Sequence, residues 1–227
     1  ISKALAEASY TVAANYAGND DAANAFKDET GIAVYKWDVS NYEACVAGLK
    51  QVEADLGPVE VLVNNAGVPS LSQPAVATSE QQWESVVDTN LKGTYFLTQA
   101  FGQWLIAQAR PGAIISLSST HGSVGFAGAS VYGIAKAGIN QMTRMLAIEW
   151  APHGITVNGV APGYIATNNT TALRADAERS AAILSRIPAN RWGETSDLTG
   201  AYVFLSSPAS DYINGTIITV DGGWMGR

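Results

Sequence analysis

The chain has 227 residues, 47% of them hydrophobic and 15% charged, with a formal net charge of −7. An acidic balance without a basic cluster argues against a nucleic-acid-binding surface, the lone Cys45 rules out an internal disulfide, and no apolar run reaches the length of a membrane span. The two histidines, His121 and His153, belong to no ligand-spaced cluster, so no metal site is expected.

Strand and helix patterns alternate without a linker, which predicts one α/β domain over residues 1–227. Ile1 to Ala8 reads as the middle of a helix, and Tyr10 to Ala14 as a strand ending in the turn Asn15-Tyr16-Ala17-Gly18-Asn19, which carries neither a carboxylate nor a cation. A helix is expected over Tyr42 to Leu56, with Cys45 as a small packed side chain. Val59 to Val63 is a buried strand followed by Asn64-Asn65-Ala66-Gly67, where small residues let a ligand approach the backbone and amide side chains can tie neighbouring strands. Trp83 to Leu105 has a helical pattern in which Asn90, a poor helix former, marks a kink. Phe96, Leu97, Phe101, Trp104 and Leu105 give it more apolar surface than one sheet contact needs. Ala113 to Ser119 reads as a parallel strand whose C-terminal end opens onto a loop, where ligands of open α/β sheets bind. His121 lies on that loop, which should border a substrate, and either faces the substrate or is exposed to solvent. A helix over Ser130 to Trp150 follows, and His153 should cap or pack near its end. The six tryptophans are expected to fill the core, Trp192 as an anchor beneath the preceding loop.

Within that long helix Tyr132 and Lys136 stand four residues apart, so a phenol and an ammonium share one face. A phenol ordinarily titrates near pH ~10, and a close positive charge favours the phenolate, which suits it to protonating an alkoxide or deprotonating an alcohol.

Asn64-Asn65-Ala66-Gly67, Asn90, Ser119, Tyr132-Gly133-Ile134-Ala135-Lys136 and Pro162-Gly163-Tyr164-Ile165-Ala166-Thr167 occur in order, Ser119 thirteen residues ahead of Tyr132. On these motifs the chain resembles the short-chain dehydrogenase/reductase family over its whole length. The resemblance implies a Rossmann-like doubly wound parallel sheet. Family members begin with a strand and a glycine-rich turn that receives the cofactor pyrophosphate; Ile1 to Ala8 resembles the helix after that turn, so the fold is expected to lack that strand and turn. The resemblance also implies Tyr132 as catalytic acid/base and Lys136 as the group that lowers its pKa and holds the cofactor ribose. Ser119 would orient the substrate carbonyl, and Asn90 would position a proton-relay water. Asp38 and Val39 would sit beside the adenine, Asn65, Ala66 and Gly67 would border the cofactor, and Pro162, Gly163, Ile165 and Thr167 would meet the nicotinamide through backbone groups.

Because the Asn15–Asn19 turn lacks the acid that pairs with a free ribose, NADP(H) is favoured over NAD(H). Ile1 to Gly67 is similar to acetoacetyl-CoA and 3-oxoacyl reductases, whereas the remainder, with Arg191-Trp192-Gly193 and Val220-Asp221-Gly222-Gly223-Trp224, is similar to 2-deoxy-D-gluconate 3-dehydrogenases. Substrate pockets in this family are built largely from later segments, here residues 164–187. The expectation is therefore a small-molecule carbonyl or alcohol, a sugar acid or related polyhydroxy compound. Its carboxylate would pair with Arg174 or Arg191, and an acyl-CoA ketone is the alternative. The fold alone also permits a catalytically inactive dinucleotide-binding module. The resemblance further implies a homotetramer, joined through the helices at Asn90 to Leu105 and Ser130 to Trp150, and the default location is cytoplasmic.

Overall fold

Short polar residues start the helices where the sequence turns apolar. The Asn19 side chain accepts from Ala22 N at 3.0 Å and opens α2 (Asp20–Thr30), while Asn41 accepts from Ala44 N at 2.9 Å and opens α3 (Tyr42–Leu56). Ser79 and Gln82 close a reciprocal capping box at the start of α4 (Glu80–Val87). α2 ends at Gly31, whose φ of 70° is left-handed.

The structure, a computed structural model, describes residues 1–69 and 72–226. After α1 (Ser2–Glu7), strands and helices alternate: β1 (Ala13–Tyr16), α2, β2 (Ala33–Lys36), α3, β3 (Val61–Asn64), α4, α5 (Thr94–Ala107), β4 (Gly112–Leu117), α6 (Ser130–Trp150) and β5 (Ile155–Pro162). The chain then runs through α7 (Thr171–Ala175), α8 (Ala177–Leu184), α9 (Thr195–Leu205) and β6 (Ile217–Val220). All described strand pairs are parallel, in two sheets: β1 with β2, and β3-β4-β5-β6 in that order. The expected doubly wound α/β architecture is present, its strands divided between those two sheets.

The first strand lies later than expected, at Ala13–Tyr16. Ser9 sits at a φ of 70°, and the Tyr10 hydroxyl donates to Ser206 O at 2.6 Å, which ties the lead-in to the segment after α9 before pairing begins.

One core cluster packs α3, α5 and α6 onto β4 and β5, with Leu105, Ile114 and Val157 wholly buried and Phe101 and Ile139 nearly so. Each such side chain is worth about 1.5–3 kcal/mol relative to exposure. A second cluster, on Ile115, Val160, Tyr202 and Leu205, joins the sheet to α9. Glycine permits the closest approach: a Cβ on Gly102 would meet the Trp150 ring at 2.6 Å. Trp150 and Trp224 are buried, but Trp83 is 41% exposed, a departure from the expectation that all six indoles fill the core.

The kink expected at Asn90 is a π-turn over Asp88–Gly93 between α4 and α5. Such insertions cluster at functional sites, and this one lies beside the C-terminal ends of the strands.

Candidate active site

Three loops converge at the carboxyl edge of the strands. Gly93 of the π-turn lies so near the loop after β2 that a Cβ there would meet Val39 O at 2.7 Å. Asn90 is 1% exposed, and its amide clamps the loop after β3 from both ends: Oδ1 accepts from Val68 N at 2.7 Å and Nδ2 donates to Val68 O at 2.9 Å. The side chain expected to position a water is therefore committed to scaffolding. One layer deeper, Asn64 Nδ2 donates to Thr98 Oγ1 at 2.8 Å and to Ser116 Oγ at 3.1 Å, tying β3 to β4 and α5 as the sequence suggested. Asn65, Ala66 and Gly67 lie exposed on the rim. Asp38 is also exposed, its carboxylate accepting from Ser40 N and Oγ at 2.9 and 2.8 Å.

Beyond β4 an extended Ser119 caps a single 3-10 turn over Thr120–Gly122, and a Cβ on Gly122 would meet Lys136 O at 2.7 Å, so this loop lies directly on α6. Asn140 holds it there, donating to Gly122 O at 3.1 Å and accepting from the Ser118 hydroxyl. This contact gathers Ser119, His121, Tyr132 and Lys136. The imidazole meets the Tyr132 ring edge-on, centroids 5.6 Å apart, and its Nδ1 lies 3.3 Å from Ser119 Oγ.

The electrostatics differ from the pairing that the helix spacing suggested. Lys136 is 3% exposed, and its Nζ lies over the Tyr132 ring, 5.6 Å from the centroid, donating to Leu117 O at 2.7 Å. Burial pushes the Tyr132 phenol above its ordinary value, and the opposing pull comes from a hydrogen bond with Ser119. Burial also depresses Lys136, to about 8, and lowers His121. The lowering expected from lysine is absent, and the hydrogen bond with Ser119 only partly offsets the rise from burial; the ammonium is spent on the Leu117 carbonyl.

The fourth wall follows β5. Gly163 packs against Asp221, where a Cβ would meet another at 2.7 Å, and its N donates to Val220 O at 3.0 Å. Ile165 forms an isolated parallel bridge with Gly193, flanked by Gly193 N to Tyr164 O at 2.9 Å and Ala166 N to Gly193 O at 2.7 Å. That pattern turns the N–H of Ile165 itself to the opposite side. Thr167 N donates to Thr170 Oγ1 at 3.0 Å, fixing the turn into α7. A cavity of about 170 Å³ opens here between Tyr164, Gly193 and Gly222.

The two arginines expected to receive a substrate carboxylate are otherwise occupied. Arg191 makes a two-pronged pair with Asp197 at 2.7 and 2.9 Å, and Arg174 donates weakly to Thr167 O at 3.4 Å. Sequence reading missed an aromatic wall instead. His121 stacks on Phe126 at 3.8 Å, Phe126 on Trp224 at 6.0 Å, and Tyr164 meets both Trp224 and Trp192. Trp192 serves that wall as well as anchoring α8, since its Nε1 donates to Ser180 Oγ at 3.1 Å. These rings come from four separated segments, so no local motif announces them. Cys45 is fully buried with its thiol pushed up to about 11, an inert packed side chain as expected.

The chain is similar to known proteins over most of its length. A family model described as enoyl-(acyl carrier protein) reductase matches residues 1–225. The chain is 47% identical over 224 residues to an acetoacetyl-CoA reductase of Shinella zoogloeoides, covering 98% of this chain and 91% of that one. It is 46% identical over 190 residues to a 2-dehydro-3-deoxy-D-gluconate 5-dehydrogenase of Escherichia coli, covering 84% and 75%. A solved gluconate 5-dehydrogenase from Burkholderia cenocepacia, in complex with NADP and tartrate, superposes with a TM-score of 0.92 at 33% identity, covering 100% of this chain and 89% of that one.

Proposed function

The chain belongs to the short-chain dehydrogenase/reductase family and is an NAD(P)-dependent oxidoreductase, and from that premise we propose that it interconverts a secondary alcohol and a ketone on a polyhydroxy sugar acid. The observation that carries the chemistry is the cluster of Ser119, Tyr132 and Lys136 at the carboxyl end of β4. Sugar-acid specificity is supported by the E. coli and B. cenocepacia relatives, whose names specify such substrates. An acyl-CoA ketone is the second reading, favoured by the S. zoogloeoides relative.

The residues present fit a nicotinamide dinucleotide. Gly67 and Gly163 let the rim pack closely on Asn90 and Asp221, the N–H of Ile165 is turned away from its bridge, and Lys136 uses one of its three ammonium donors on Leu117 O. In this reading Asp38 and Val39 border the adenine, Asn65, Ala66 and Gly67 the central part of the cofactor, and Lys136 the ribose. Pro162, Gly163, Ile165 and Thr167 border the nicotinamide. The bound cofactor supplies the hydride donor or acceptor.

Tyr132 passes the accompanying proton to or from the substrate oxygen, and Ser119 donates to that oxygen as negative charge builds on it. His121, kept neutral by burial, packs edge-on against the phenol and limits water at its ring. Lys136, depressed to about 8, exchanges protons near neutral pH more readily than an ordinary lysine and relays the charge outward. Asn90 acts by holding the Val68 loop.

NADP(H) is preferred over NAD(H) in this reading. Residues 17–19 carry no carboxylate, the nearest acid, Asp20, is tied to Lys36 at 2.8 Å, and the B. cenocepacia relative holds NADP. The ratio of kcat/KM with the two cofactors tests it, and a ratio favouring NAD(H) overturns it.

A homotetramer is part of the proposal. Phe96, Tyr95, Ile134, Met145 and Ile148 leave apolar surface exposed on α5 and α6, while Leu97, Phe101 and Leu105 face the core. Light scattering checks it. No described helix is long and apolar enough to cross a membrane, and a cytoplasmic location completes the reading. The substrate class is tested by a panel with both nicotinamides: turnover of ketogluconates supports it, and turnover of acetoacetyl-CoA with none of ketogluconates overturns it.

A further inference from the structure

We propose that Arg186, laid on the face of Trp224 and flanked by Arg179, recognises the carboxylate of the substrate. The inference rests on the sugar-acid reading above and assigns the anionic end of that substrate to a side chain which the motifs do not mark.

The guanidinium carbon of Arg186 lies 4.2 Å from the centroid of the Trp224 ring. Both ends of that contact are anchored: Trp224 is 6% exposed, and the residue after the arginine, Ile187, is 4% exposed. Helical hydrogen bonding continues past α8, with Arg186 N donating to Ile183 O at 3.0 Å, so Arg179 and Arg186, seven residues apart, face the same way. The Trp224 ring that carries Arg186 also meets the Tyr164 ring at 4.9 Å, and Tyr164 lines the cavity after β5; both arginines oppose the rise that burial imposes on the Tyr164 phenol.

Neither arginine has a carboxylate partner among the described residues, whereas Arg191 is closed off by Asp197. A guanidinium stacked on an indole is held by its face and leaves its in-plane N–H edge available, the geometry that a carboxylate accepts two-pronged. The rings connect this cation to the reacting hydroxyl. Trp224 stacks on Phe126, Phe126 on His121, and His121 meets Tyr132. A polyhydroxy chain lying along that floor would present its carbonyl to Tyr132 and Ser119 and its carboxylate to Arg186.

Steady-state kinetics on a ketogluconate and its uncharged amide test the assignment, together with a gluconate titration followed by the shift in melting temperature. Arg186→Ala should raise KM for the acid at least tenfold, leave kcat within about twofold, leave KM for the amide unchanged, and abolish the gluconate-induced shift; Arg186→Lys should recover part of each. Equal effects on acid and amide, or none on either, overturn the proposal while leaving the sugar-acid reading standing. Absence of turnover of any sugar acid by the unmodified protein overturns both. A raised KM for acetoacetyl-CoA with an unchanged KM for the acid assigns the arginine to an acyl-CoA phosphate and overturns the carboxylate assignment.

Discussion

Lys136 gives its ammonium to the carbonyl of Leu117, 2.7 Å away, while the Tyr132 ring one turn earlier lies beneath it at 5.6 Å. The amine is therefore anchored to the end of β4, where it braces the loop bearing Ser119, and it sits in a medium that disfavours its charge.

That burial has a signed consequence for stability. The folded-state pKa of Lys136, about 8, is below its ordinary 10.5, so the buried charge destabilises the fold fully below pH 8 and ceases to do so as pH rises towards 10.5. Relative to Lys136→Met, the cofactor-free wild-type protein should gain on the order of 3 kcal/mol across that window. Denaturant melts at several pH values measure it, and a difference that is flat or moves the other way contradicts the burial.

Asn90→Ala removes both partners of the Val68 peptide. Leaving those part-buried groups without their amide partner should cost about 1 kcal/mol and speed limited proteolysis in the loop after β3. An unchanged cleavage rate would show that the clamp is dispensable.

Gly102→Ala forces a methyl towards the Trp150 ring and should destabilise by about 1–3 kcal/mol. Gly200→Ala, inside α9 with no atom within 4 Å of the new carbon, should stabilise by about 0.5–1 kcal/mol from helix propensity. Thermal melts read both, and similar shifts of one sign would contradict the packing described.

Much of this was legible in the sequence. The limits of α3 and α6 follow from helical periodicity, and the disruption at Asn90 from one poor helix former in an apolar run. Ser119, Tyr132 and Lys136 were legible because a strand end and a single helix hold them. Arg186 and the rings of Phe126, Tyr164 and Trp224 were not, since their contacts depend on how distant segments fold over one another. Arg191 misled for a local reason: its partner, Asp197, six residues on, lies in the first turn of the following helix and claims both prongs of the guanidinium.

Arg191→Gln should therefore change KM for a sugar acid by less than about twofold, because the paired guanidinium never meets substrate. Parallel kinetics with Arg186→Ala make the comparison, and a larger effect at Arg191 would reverse the assignment of the two arginines.

The most direct test of the account is Tyr132→Phe, assayed for turnover of a ketogluconate with NADPH and for NADPH affinity by fluorescence titration. The account predicts turnover lower by on the order of a hundredfold or more at nearly unchanged affinity, since only the proton donor is removed. Turnover matching the unmodified protein would contradict it.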